Sequence, residues 1–106
     1  MNEKEFFIYL GTSYSDRLRN RIVIEKGKII DMLVQYETIL NNKWTPIVRF
    51  DCTHGFFHRD IINPNGSQEK KKIEVYNLEY AFSFARQDIE DRWKWYKEHY
   101  IKKLEK

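Results

Sequence analysis

A chain of 106 residues has the length of one domain, and its 42% hydrophobic and 33% charged residues exclude a low-hydrophobicity disordered chain. The formal net charge of +3 is too balanced to indicate nucleic-acid binding by itself, and a single cysteine excludes an internal disulfide bond. No apolar run approaches the ~20 residues of a membrane span, and the N-terminus lacks a signal sequence. We therefore expect one cytoplasmic domain over residues 1–106, with no membrane partner.

The first part of the chain is predicted to form an antiparallel β-meander. FFIYL (6–10) favours a strand, and GTSYSD (11–16) has the composition of a loop. Residues 21–40 are typical of a hairpin with its turn at Lys26-Gly27, because glycine readily adopts positive φ. In the second arm, alternating residues share one face: Ile30, Met32, Val34, Tyr36, Thr38 and Leu40.

Turn signals divide the next segment into shorter strands. Asn41-Asn42-Lys43 predicts a turn before the strand WTPIVRFDC (44–52). FFHRDII (56–62) predicts a further strand, and Pro64-Asn65-Gly66-Ser67 is a strong turn signal. QEKKKIEV (68–75) is then a charged strand or loop.

The last 30 residues change from a strand period to a helical one. From Leu78 to Leu104, apolar residues recur at steps of three and four, and Asn77 is in position to cap the helix. The helix would be ~40 Å long, so it either breaks or extends beyond a small sheet. We predict an α+β fold, in which an antiparallel meander of four to six strands packs against this helix. The predicted contact joins Leu78, Phe82, Ala85, Ile89 and Trp93 to Val34, Tyr36, Val48 and Phe50.

DCTHGFFHRD (51–60) concentrates the titratable side chains, with two of the three histidines and the single cysteine. Imidazole exchanges protons near neutral pH, a carboxylate can fix its tautomer, and arginine binds phosphate through a planar fork. This inventory favours metal-independent cleavage of RNA, with the 2′-hydroxyl as nucleophile. The catalytic candidates are His54, His58, Asp51 and Asp60, and the substrate-binding candidates are Arg49, Arg59 and Glu37.

Two other interpretations of this segment stay open. A metal site would use His54 and His58, but on an extended strand their Cα atoms lie ~13 Å apart, so we predict no metal and no cofactor. In a purely structural interpretation, Asp51 and Thr53 cap a turn and Arg59 pairs with Asp51 or Asp60. The strand period also places His58 and Asp60 on one face and directs Arg59 away, unless the strand bulges.

The aromatic helix suggests a different class of function. Trp93, Tyr96 and Tyr100 follow the apolar stripe, whereas Trp95 lies off it and could mark an interface. The alternative to an enzyme is therefore a non-catalytic interaction module, a homodimer that associates through this helix and a sheet edge. A metal-binding protein is the third candidate.

VRFDCTHGFFHRD resembles a segment of small uncharacterised prokaryotic proteins, in which an Asp ends a strand and His-Gly and His-Arg follow. The resemblance covers roughly residues 22–95. More distantly, the layout is similar to the toxin half of some prokaryotic toxin–antitoxin pairs. That similarity implies an RNA-directed toxin neutralised by a small antitoxin protein, with its site at Asp51, His54, His58 and Arg59. In this chain the cluster ends in His-Arg-Asp, without the further histidine.

Overall fold

A computed structural model describes residues 1–105 of the chain as one sheet and one helix. The strands are β1 (Asn2–Tyr9), β2 (Asp16–Glu25), β3 (Lys28–Leu40), β4 (Lys43–Asp51), β5 (His58–Ile62) and β6 (Gln68–Lys72), and the helix is α1 (Leu78–Leu104). The sheet has the order β1-β2-β3-β4-β5-β6 with every pair antiparallel. The predicted α+β meander with a C-terminal helix is therefore confirmed.

The predicted turns lie where the backbone needs a left-handed conformation. Lys26 and Gly27 have φ of 51° and 77°, and Asn41 and Asn42 have φ of 52° and 63°. Two consecutive residues with positive φ give a tight hairpin turn whose twist matches that of the flanking strands. Both turns thus fix the register of β3 against its two neighbours.

Four strand boundaries differ from the prediction by two residues or more. Strand β1 begins at Asn2 and not at Phe6. Strand β2 begins at Asp16 and not at residue 21, since Arg17 and Arg19 form ion pairs with Glu37 and Glu5 on neighbouring strands. The sequence left residues 17–20 unassigned, because these charges have no local partner. Strand β5 begins only at His58, and β6 ends at Lys72.

Helix α1 runs unbroken for 27 residues across one face of the sheet. It begins after Asn77, whose side chain accepts a hydrogen bond of 2.8 Å from the Tyr80 backbone N–H. The Glu79 carboxylate lies 3.4 Å from the Ile29 N atom, and Lys103 Nζ lies 3.0 Å from Glu69 Oε2 near the other end. The helix is therefore continuous, and residues near both of its ends contact the sheet.

The predicted contact between helix and sheet is confirmed. The buried core includes Val34, Tyr36, Val48 and Phe50 from the sheet and Ala85 and Ile89 from the helix, with Leu78, Phe82 and Trp93 partly buried against it. Phe84, absent from the predicted stripe, also contributes, with its ring centroid 6.1 Å from that of Phe50. Among the described residues, no helix is long and apolar enough to cross a membrane.

The other side of the sheet, here called the open face, carries polar residues in register. One row across all six strands is Phe7, Arg19, Gln35, Arg49, Asp60 and Lys70. The adjacent row is Glu5, Arg21, Leu33, Asp51, His58 and Lys72. Successive side chains of a strand point to opposite faces, so these rows alternate with the residues beneath α1. The open face therefore holds most of the side chains on which a function was predicted.

Candidate functional site

His58 lies at the centre of a buried polar cluster on the open face. It is the first residue of β5, it pairs in register with Asp51 at the end of β4, and Asp60 follows two residues later on the same face. The His58 Nε2 atom is 2.9 Å from Asp51 Oδ1 and 3.2 Å from Asp60 Oδ2. The exposed fractions are 8% for Asp51, 1% for His58 and 3% for Asp60. We call these three residues the Asp51–His58–Asp60 cluster.

The hydrogen-bond partners of the imidazole restrict what can occupy the cluster. Nδ1 of His58 lies 3.1 Å from the Phe56 carbonyl oxygen, which only accepts, so Nδ1 carries a proton. Nε2 faces two carboxylates, which also accept when ionised. A proton or a metal ion must therefore lie between Nε2 and the carboxylates.

The loop over residues 52–57 covers the imidazole. The rings of His54 and Phe56 have their centroids 5.5 Å and 5.4 Å from that of His58. The chain reverses direction between β4 and β5 in a turn in which Gly55 has a φ of 83°. At the start of this loop the Asp51 carboxylate accepts a hydrogen bond of 3.3 Å from the Thr53 N–H. His54 itself is exposed, so the loop brings the two histidines together but leaves only one of them inside the cluster.

Lysine side chains of β6 border the cluster on one side. The Lys70 ammonium lies 3.0 Å from Asp60 Oδ1, although it is not aligned for a hydrogen bond with that buried oxygen. Lys72 Nζ lies 5.5 Å from the centroid of the Phe56 ring and forms a 3.6 Å ion pair with Glu74. The cluster thus has a basic rim at the edge of the sheet.

Arg49 and Glu37 share the open face with the cluster but belong to a separate chain of hydrogen bonds. Arg49 Nε donates to Gln35 at 2.6 Å, and Gln35 Nε2 donates to Glu37 at 2.6 Å. The other Glu37 oxygen accepts from Arg17 Nε at 2.8 Å. Both carboxylate oxygens of Glu37 are engaged, whereas Arg49 pairs in register with Asp60 and borders the cluster.

Arg59 is not brought to the cluster. It pairs in register with Phe50 and Lys71, in the row beneath α1, so it lies on the opposite face from His58 and Asp60. The third histidine, His99, stacks on Trp95 of α1 with 5.1 Å between ring centroids. Neither side chain can act directly on a ligand held by the cluster.

The full length of the chain, residues 1–106, matches the family model described as a domain of unknown function (DUF7718). The chain belongs to the DUF7718 family. No curated protein and no solved structure matches it. The family's description gives no activity, so the functional argument depends on the geometry of the Asp51–His58–Asp60 cluster.

Two residues of this DUF7718 chain that bear on the site were not among the predicted site residues. Gln35 links Glu37 to Arg49, and Lys70 approaches Asp60. Gln35 alternates with apolar residues in the sequence, whereas Lys70 lies in a run of charged residues. Both contacts depend on the pairing register, which composition does not determine.

The surroundings of the single cysteine disfavour a nucleophilic role. Burial raises the pKa of the Cys52 thiol, and a hydrogen bond of 3.3 Å to Asp31 adds to the shift. The thiol therefore stays protonated at neutral pH, which removes the reactive thiolate form.

The cluster in this DUF7718 chain has the dimensions of a metal centre. One ligand atom from each of the three residues lies within 4.8 Å of the others. Ligands bound at ~2.0–2.2 Å lie ~2.8–3.1 Å apart in octahedral geometry and ~3.3–3.6 Å apart in the tetrahedral geometry of zinc. The Nε2 distances of 2.9 Å and 3.2 Å match the octahedral separation and are also hydrogen-bond distances. The residues Asp51, His58 and Asp60 thus fit a metal ion better than the His54–His58 pair considered from the sequence.

Proposed function

We propose that the chain binds a divalent cation at the Asp51–His58–Asp60 cluster. The observation that carries this proposal is the orientation of His58, whose Nε2 faces two carboxylates while Nδ1 is committed to a carbonyl oxygen. A hydrogen bond from the second ring nitrogen is the usual way to fix the orientation of a metal-binding imidazole. One imidazole and two carboxylates favour borderline and hard ions such as Zn²⁺, Fe²⁺ and Mn²⁺.

The cluster would leave coordination positions for water or a substrate. Three protein ligands are typical of catalytic metal sites, whereas structural zinc sites use four. Lys70 balances one of the two carboxylate charges, so a divalent ion would leave the site with a formal charge of about +1, which an anionic ligand could offset. This arrangement supports a metal ion that acts on a bound ligand rather than one that only holds the fold together.

Metal binding is tested by titrating the metal-free protein with Mn²⁺, Zn²⁺ and Mg²⁺ in calorimetry and in thermal unfolding. When the concentration of free ion is 100 times its dissociation constant, binding should raise the melting temperature by on the order of 10 °C. Asp60→Asn and His58→Gln should abolish the shift, because each removes one ligand. His99→Gln is the matched control on α1 and should keep it. An unchanged wild-type melting temperature with all three ions would contradict the proposal.

RNA is the substrate class that we propose for this centre. Arg49, Lys70 and Lys72 lie beside the cluster on the open face, where they could neutralise a phosphate backbone. The metal-independent ribonuclease predicted from the sequence needs His58 to release a hydrogen bond first, since both ring nitrogens are engaged. Exposed His54 is the imidazole whose ring is accessible to a substrate. The toxin role and the small antitoxin partner remain predictions from the resemblance.

Cleavage is tested with RNA and with matched 2′-deoxy oligonucleotides, each with added metal ion and with a chelator. In the proposed reaction the 2′-oxygen attacks the adjacent phosphorus and the bond to the 5′-oxygen breaks. The 2′-hydroxyl proton passes to that leaving oxygen, which gives a 2′,3′-cyclic phosphate and a 5′-hydroxyl.

We expect the protein to cut RNA and not the 2′-deoxy oligonucleotides. The rate of RNA cleavage should fall by about 10²–10⁴-fold in His58→Ala. Loss in chelator assigns the reaction to the metal ion, whereas loss only in His54→Ala assigns it to a metal-independent acid–base mechanism. Absence of cleavage under every condition would leave the non-catalytic interaction module, including a homodimer through α1, as the better account.

A further inference from the structure

A cleft lies between the β5–β6 hairpin and α1, on the face of the sheet opposite the Asp51–His58–Asp60 cluster. Its volume is about 340 Å³, which is within the ~300–1,000 Å³ of small-molecule sites. Its walls include Phe50, Arg59, Lys71, Phe84, Asp88 and Arg92. We call it the Arg59 cleft.

Arg59 brings a positive charge into this cleft without a counterion. Its Nε atom is buried and has no hydrogen-bond partner among residues 1–105, and no carboxylate of that range forms an ion pair with it. Asp88 lines the same cleft, but its carboxylate accepts a hydrogen bond from Tyr96 and forms a 3.5 Å ion pair with Arg92. Because burying part of a charged group without a partner costs free energy, an anion bound beside Arg59 would offset that cost.

Lys71 supplies a second free charge at the same place. It is the register partner of Arg59 and lines the cleft, and it forms no ion pair with a residue of the described range. The lysines on either side of it do form ion pairs, Lys70 with Asp60 and Lys72 with Glu74. Of the charged residues that line the cleft, Glu74 pairs with Lys72 and Asp88 pairs with Arg92. Arg59 and Lys71 therefore leave a formal excess of +2.

We infer that the Arg59 cleft binds a small organic phosphate. A phosphate monoester carries a charge of about −1.5 to −2 at neutral pH, which matches the excess charge of the cleft. The guanidinium of Arg59 can hold two phosphate oxygens at once, and Lys71 acts as a point charge. Phe84, half-buried against Phe50, offers an apolar surface to the carbon skeleton of the ligand. A mononucleotide has the required size and both chemical parts.

The inference is tested by titrating the full chain with inorganic phosphate, adenosine 5′-monophosphate and adenosine, at constant ionic strength and with a chelator present. Amide shifts in two-dimensional NMR should saturate with both phosphates and involve β5, β6 and the middle of α1. The nucleotide should bind more tightly than inorganic phosphate. Arg59→Gln should weaken both by about tenfold or more, since charge-assisted hydrogen bonds are lost. Arg19→Gln, on the open face, is the matched control and should leave both affinities unchanged.

Two further variants keep the test decisive if Arg59→Gln disturbs the fold. Arg59→Lys retains the charge and loses the planar fork, and Lys71→Gln changes an exposed side chain, so each should weaken binding to an intermediate extent. Equal affinity of these variants and the wild type would overturn the inference. No saturable binding of phosphate by the wild type, or equal binding of adenosine and its monophosphate, would also overturn it.

Discussion

At the level of single residues, His58 determines how two carboxylates can stay buried next to each other. Asp51 and Asp60 come from different strands, and their oxygens converge on the same imidazole nitrogen. Without a positive charge between them, the carboxylates would repel each other in a region shielded from water. Lys70 offsets only part of this charge, at Asp60 Oδ1, the oxygen that does not contact His58.

Removal of the imidazole should therefore be costly even without any ligand. We expect His58→Ala to lower the free energy of unfolding by about 3–5 kcal/mol, as when one partner of a buried ion pair is removed. His54→Ala, in the loop above it, should change stability by less than about 0.5 kcal/mol because that side chain is exposed. Urea unfolding of both variants in a chelator measures the difference. Equal stabilities of the two variants would show that the His58 imidazole does not stabilise the two buried carboxylates.

At the level of elements, strand β5 sends successive candidate residues to opposite sides of the sheet. His58 and Asp60 face the open side, and Arg59 enters the cleft beneath α1. Strand β6 repeats the pattern, with Lys70 near the cluster and Lys71 in the cleft. A single hairpin thus contributes to two candidate sites, one for a cation and one for an anion.

This alternation predicts that the two sites respond independently to mutation. Asp60→Asn should abolish metal binding and leave phosphate affinity unchanged, and Arg59→Gln should do the reverse. Energies of mutations more than ~7–10 Å apart without shared partners usually add within ~0.5 kcal/mol, and here the two consecutive side chains are separated by the sheet between them. Calorimetry with each ligand on the two single variants and the double variant gives the coupling energy. A coupling well above that limit would mean that the β5–β6 hairpin shifts as a unit when either ligand binds.

For the whole molecule, the sequence predicts the elements better than it predicts their contacts. Alternation in β3 and the helical period of α1 depend on local pattern, and both are confirmed. The pairing of Asp51 with His58 depends on the register across the loop of residues 52–57, which local pattern does not determine. Likewise, the engagement of Glu37 by Arg17 depends on a part of β2 whose charges have no local partner.

The strand order also has a consequence for how the chain folds. Each strand pairs only with the strand that precedes or follows it in sequence, so the sheet can grow by successive closure of short loops. Docking of α1 onto β3 is the long-range step, since Ile29 and Glu79 are 50 residues apart. Pairing between strands that are neighbours in sequence favours faster folding than pairing between distant strands. The β4–β5 hairpin contains every member of the Asp51–His58–Asp60 cluster, so the cluster can assemble before the helix closes over the opposite face.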